Sequence, residues 1–120
     1  FAWIVNSEDG LDEISPYAKT NIVQLKNGKI TEMIIDPNEL NISANKFEDL
    51  LGDDAQFNAN KMLDIFKGKD NDFSKAVCLN SAAGLIVNET HQNFTDAYNN
   101  SREHILSGKT IKHIEKIQNV

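Results

Sequence analysis

A disulfide is excluded at once, because the 120-residue chain has a single cysteine, Cys78. It lies in an apolar run, where a buried and inert thiol is expected rather than a nucleophile. A reducing, cytoplasmic setting fits. No apolar segment approaches the length of a membrane span, and no basic stretch precedes a short apolar one as in a secretory signal. Positive charge is also short: twelve Lys and Arg stand against eighteen Asp and Glu, a formal net charge of −6. That balance leaves little for a dominant basic face, which argues against a phosphate-backbone partner.

Two further patterns are incomplete. His91, His104 and His113 do not fall at i, i+4 spacing and no cysteine pair accompanies them, so the usual zinc patterns are missing. Ser107 to Thr110, "SGKT", ends like a phosphate-binding loop, but that pattern needs a glycine at 103, where Glu103 stands, and a strand before it.

What is present suits one α/β domain over residues 1–120, a length that buries roughly two-thirds of the unfolded surface. Phe1 to Val5 is a short apolar run, predicted to be a strand buried on both faces. A chain opening with Phe inside such a run reads as a piece of something longer. The acidic residues that follow fall in the loop after the strand's C-terminal end, where α/β sheets usually bind ligands. Asn27-Gly28 between Ile22–Lys26 and Ile30–Ile35 predicts a hairpin with a type I′ turn. A two-residue turn pairs Leu25 with Ile30 but sets Val23 opposite Glu32, for which a bulge is the expected remedy. Asp36-Pro37 closes the hairpin, and residues 38–46 read as loop with one helical turn.

From there the chain reads as helical. Asp53 and Gln56 have capping-box spacing ahead of Ala55, Ala59, Met62, Leu63 and Phe66, with Gly68 beyond the end. Phe73 to Val87 is apolar nearly all round and predicts a central helix, with Ser81 to Gly84 small enough for close approach. Phe94, Ala97, Tyr98, Ser101 and Ile105 mark a third helix, and Ile111, Ile114 and Ile117 a short fourth. Asn80, inside the most apolar helix, must find partners, since an unpaired amide there costs roughly 1 to 3 kcal/mol. Tying down a neighbouring loop is the expected use.

The stretch "EDGLDEIS", Glu8 to Ser15, puts four carboxylates into six residues. It reads either as a solvated turn or as a cation site. Asp12 and Glu13 after Gly10 can converge on a hard cation, and magnesium is commonly held by one or two carboxylates with water and substrate phosphates.

"GLDEIS", the Asn-Gly hairpin, "DP" at 36–37, "LLGDDAQFNA" at 50–59, "LNSAAGL" at 79–85 and "SGK" at 107–109 come in the order seen at the C-terminal end of anthranilate phosphoribosyltransferases. The whole chain resembles that family. Three positions depart from its pattern: Asn6 where a histidine is frequent, Gly52-Asp53-Asp54 for "GGD", and Leu40-Asn41 for the Phe-Gly after the proline. The resemblance implies the C-terminal part of a nucleoside phosphorylase/phosphoribosyltransferase-type α/β domain. It implies a pentosyltransferase of tryptophan biosynthesis that moves phosphoribosyl from phosphoribosyl pyrophosphate to anthranilate. It also implies that Asp12 and Glu13 ligate Mg2+ beside the pyrophosphate. The family's glycine-rich loop and Lys-His-Gly-Asn segment are absent from these residues, as are most acceptor contacts, so the chain alone is expected to be inactive. Full-length members often dimerise through a separate helical domain. The alternative is a related domain, non-catalytic, retained for protein association or nucleic-acid binding.

Overall fold

The computed structural model describes residues 1–118. Three strands, β1 (Ala2–Ser7), β2 (Thr20–Lys26) and β3 (Lys29–Ile35), form an antiparallel sheet in the order β1-β2-β3. A 3-10 turn, Phe47–Leu50, leads to four helices: α1 (Ala55–Phe66), α2 (Asp72–Val87), α3 (Phe94–Leu106) and α4 (Lys109–Gln118).

The pleat sorts the strand residues. Trp3, Val5, Ile22, Met33 and Ile35 turn toward α2 and α3, joining a core with Leu79, Ala82, Ile86, Ala97, Tyr98 and Ile105. The Trp3 ring stacks on Phe94 with centroids 6.1 Å apart. Ile4, Val23, Leu25, Ile30 and Ile34 lie on the other face and are open to solvent. The expectation of a first strand buried on both faces is thereby corrected: Ile4 is 71% exposed. Helices cover one side of the sheet, so β1 alternates as antiparallel strands do. With every described pairing antiparallel, the parallel-sheet reason for expecting a ligand at that strand end also lapses.

Asn27 (φ 51°) and Gly28 (φ 74°) both take the left-handed conformation that a type I′ turn requires. The register then runs without a bulge, Leu25 opposite Ile30 and Val23 opposite Glu32. The mismatched pair is tolerated because both residues lie on the open face, where the Glu32 carboxylate stays in water.

The first three helices begin at side chains that accept one of their free amides. Asp54, not Asp53, caps α1 by accepting from Phe57 N at 2.8 Å. Asp53 is diverted: its backbone N donates to Asn58 Oδ1 and its carbonyl accepts from Asn58 Nδ2. Only the second half of α1 packs, with Ile65 fully buried and Ala55 and Ala59 exposed. Asn71 and Ser74 form a reciprocal capping box at the start of α2. Asn93 caps α3 through Asp96 N. In the small-residue stretch it is Ala82 that meets α3, facing a core that includes Ala97, both without exposed surface; Ser81 is exposed and a Cβ on Gly84 would meet open space. Residues 37–41 form successive hydrogen-bonded turns, and the helical turn expected within residues 38–46 comes after them, as the 3-10 turn.

Candidate functional site

The loop between β1 and β2 is acidic in sequence yet firmly anchored. Gly10, with φ of 90°, reverses the chain and donates its N–H to Ser7 O at 3.0 Å, while Ser7 N donates to Leu11 O at 3.0 Å. Asp9 is exposed, yet its carboxylate is tied into the turn. Its Oδ1 accepts from Leu11 N and its Oδ2 from Ser15 Oγ at 2.5 Å. Partial burial pushes the Asp9 carboxyl up, but hydrogen bonds from Ser15, Ser7 and Leu11 outweigh it and leave the group below the usual carboxylate range. Ser15 is fully buried; its Oγ accepts in turn from Tyr17 N and Ala18 N, and its N donates to Thr20 Oγ1.

Ile14 enters the core at 1% exposure, a burial that contributes roughly 2 kcal/mol. Both of its backbone groups are taken by one side chain on α2. Ile14 N donates to Asn80 Oδ1 at 2.9 Å, and Asn80 Nδ2 donates to Ile14 O at 3.1 Å and to Ala76 O at 3.0 Å. The amide placed in the most apolar helix does tie down a neighbouring loop.

Asp12 and Glu13, between the Gly10 turn and the Ile14 anchor, are therefore held outward and exposed. Asp12 has no hydrogen bond or ion pair among the described residues, and Glu13 has only Asn80 Nδ2 at 3.5 Å from Oε2. Two exposed carboxylates are hard oxygen donors of the kind magnesium takes, and the pair fits a partial shell completed by water and phosphate oxygens. Among the described residues no group of three or more His, Cys, Asp or Glu could hold a metal by itself.

Residues 1–111 match the family described as "Glycosyl transferase family, a/b domain". The chain belongs to that family. It is 78% identical over all 120 residues to an anthranilate phosphoribosyltransferase of Pelagibacter ubique, and it spans 36% of that relative's length. Its fold matches the anthranilate phosphoribosyltransferase of Thermus thermophilus with a TM-score of 0.83 and 22% identity, over 96% of this chain and 34% of the other. It also matches the Saccharomyces cerevisiae enzyme solved in complex with PRPP and Mg, with a TM-score of 0.81 and 22% identity, over 94% of this chain and 33% of that one. At those identities the two structures speak for the fold.

Within this glycosyl transferase domain the other sequence signals resolve into packing. Cys78 is 2% exposed, and burial pushes its thiol up to about 11, the state of an inert core residue. In "SGKT", Ser107 and Gly108 (φ 73°) make the bend between α3 and α4, Lys109 and Thr110 begin α4, and the element before them is a helix. His104 and His113 line a groove with Lys109, Lys112 and Lys116. No described helix is long and apolar enough to cross a membrane.

One anchor escaped the sequence reading. Asp72, first residue of α2, is 7% exposed. Its Oδ2 accepts from Tyr17 Oη at 3.1 Å, Asn45 N at 2.7 Å and Lys46 N at 2.8 Å, and its Oδ1 from Lys75 Nζ at 2.6 Å. Burial alone pushes the carboxyl up, but the bonds from Lys75, Lys46, Asn45 and Tyr17 prevail and hold it far below its ordinary range. Tyr17 moves upward, through burial first, then its hydrogen bond to Asp72 and that group's charge. A position directly after the Asn71 cap, where the helix dipole favours an anion, was the available signal.

Proposed function

We propose that this chain is the C-terminal part of the α/β domain of a cytoplasmic anthranilate phosphoribosyltransferase. The enzyme would move phosphoribosyl from phosphoribosyl pyrophosphate to the amine of anthranilate, releasing pyrophosphate, in tryptophan biosynthesis. The observation that carries this reading is the 78% identity over the whole chain to the Pelagibacter enzyme. In it, Asp12 and Glu13 are magnesium ligands beside the pyrophosphate, a role supported by two exposed carboxylates that have no ion pair among the described residues and sit on an anchored loop. Bound there, Mg2+ supplies charge neutralisation to the leaving pyrophosphate, favouring the transition state over the ground state. The chain's own work is positional: Gly10 and Ile14 fix the backbone on either side of the pair, and the Asp9–Ser15 bonds keep the loop in shape without using the two free carboxylates.

The chain spans about a third of its relatives and supplies two candidate ligands, so turnover is assigned to the longer polypeptide and not to these residues alone. The open apolar face of the sheet, Ile4, Val23, Leu25, Ile30 and Ile34, favours one other reading, a related domain that works by association. Asp12→Asn/Glu13→Gln in the longer enzyme tests the first reading. Magnesium-dependent phosphoribosyl transfer is expected to fall at least about a hundredfold. Undiminished turnover in that variant would remove the metal role, and anthranilate consumption by the purified 120-residue chain would refute the assignment of activity to the longer polypeptide.

A further inference from the structure

We infer that Asn80 is the positioning residue of the Asp12–Glu13 pair, setting its affinity for a divalent cation through the backbone of Ile14 and not through contact with the ion. The inference rests on the metal reading of that pair. A primary amide offers one acceptor oxygen and two donor hydrogens. Here the oxygen takes Ile14 N, one hydrogen goes to Ile14 O and the other to Ala76 O on the preceding helical turn. Asn80 thus imitates a strand partner for one residue, pairing with its N–H and its C=O together, and is itself braced against α2.

The distances assign the contact with Glu13 a different character. With both Nδ2 hydrogens committed at 3.1 and 3.0 Å, Glu13 Oε2 at 3.5 Å receives no proton of its own. The carboxylate stays near the amide yet remains free to turn to a cation. The residue before the pair is fixed separately, since Leu11 O accepts from Ser7 N and Leu11 N donates to Asp9 Oδ1. Asp12 and Glu13 therefore sit between two immobilised residues, one held by the loop itself and the other by a single side chain 66 positions away. Pre-setting the backbone removes conformational freedom that a cation would otherwise have to remove, which is how outer partners tune metal sites, commonly by ten- to a hundredfold.

Three substitutions, read by Mn2+-induced broadening of backbone amide signals in the 120-residue chain with Mg2+ as competitor, test this. In the unsubstituted chain broadening centres on residues 11–14. Asn80→Ala is expected to raise the half-saturating Mn2+ concentration about tenfold or more, with broadening still centred on the pair. Ile105→Val, a mild core loss on α3 that touches none of the Asn80 hydrogen bonds, should leave it within about twofold. Asn80→Asp keeps the size and the acceptor for Ile14 N but gives up donation to Ile14 O and adds a negative charge beside Glu13. Charge alone would tighten cation binding there, whereas loss of positioning weakens it, and weakening is expected. A half-saturation point unchanged in Asn80→Ala, shifted equally in Ile105→Val, or tightened in Asn80→Asp overturns the inference while the metal reading stands. No broadening at residues 11–14 in the unsubstituted chain, or the same broadening in Asp12→Asn/Glu13→Gln, overturns the metal reading instead.

Discussion

The first residue and the middle of α2 hold two stretches of loop by opposite means. At its first residue, the Asp72 carboxylate gathers Tyr17 and the amides of Asn45 and Lys46. Two turns further on, the uncharged Asn80 amide gathers both backbone groups of Ile14. A charge is tolerated at the first place because the helix N-terminus and Lys75 favour it, and it makes strong bonds to backbone N–H groups. Mid-helix, where no such field exists and both a donor and an acceptor are required, a neutral amide is the group that satisfies both sides. One anchor can therefore be switched by acid and the other cannot. The anchor that cannot is the one beneath the candidate cation site, so the clamp on Ile14 carries no charge of its own.

The largest effect that separates them is expected from Asp72→Ala. It strands two backbone amides and the Tyr17 hydroxyl, a loss of about 3 kcal/mol, measurable by urea titration at pH 7; a loss under about 1 kcal/mol would reduce Asp72 to a bystander. Because the folded carboxyl lies below its unfolded value near 3.9, its stabilisation is fully present above about pH 4 and fades as acidity carries the folded group toward protonation. The Asp72→Ala chain should therefore show a shallower acid limb than the parent.

Asn80→Ala comes next, with about 2 kcal/mol lost. That loss should be the same at pH 5 and pH 7, since no titrating group is removed, and a loss that varies between them would blur the distinction between the two anchors. The smallest effect belongs to Asp12→Asn/Glu13→Gln. Exposed and without protein counter-charges, the pair should change stability by no more than about 0.5 kcal/mol in the cation-free chain. A larger loss would give the carboxylates a structural part that the geometry does not show.

What could be read from the residues divides along the same line. The Asn27-Gly28 hairpin, the four helices and the need of Asn80 for a partner were all legible, because turn chemistry, periodicity and the cost of a buried amide are local. The exposure of Ile4 was not legible, since a five-residue apolar run is the same whether helices cover one face of the sheet or two. The exchange of Asp53 for Asp54 as helix cap was hidden because it depends on Asn58 claiming the backbone of Asp53. In the candidate site, Asp12 and Glu13 could be singled out by residue type and by the family resemblance. The work of Asp9, Ser15 and Ile14 could not, because it consists of contacts that exist only once the loop has closed on Thr20 and α2.

The type I′ turn has a kinetic consequence as well. β2 and β3 are joined by two residues, so their pairing closes a minimal loop and can form on a timescale of microseconds. The acidic loop has no such shortcut: its anchor at Asn80 lies 66 residues away, and α2 must be in place before Ile14 can be clamped. The hairpin is thus expected to be an early product of refolding and the Asp12–Glu13 segment a late one. Pulse-labelled hydrogen exchange should show the Ile14 amide gaining protection after the amides of β2, and simultaneous protection would discard that order. A destabilised chain would then lose its candidate cation site while much of its sheet persists.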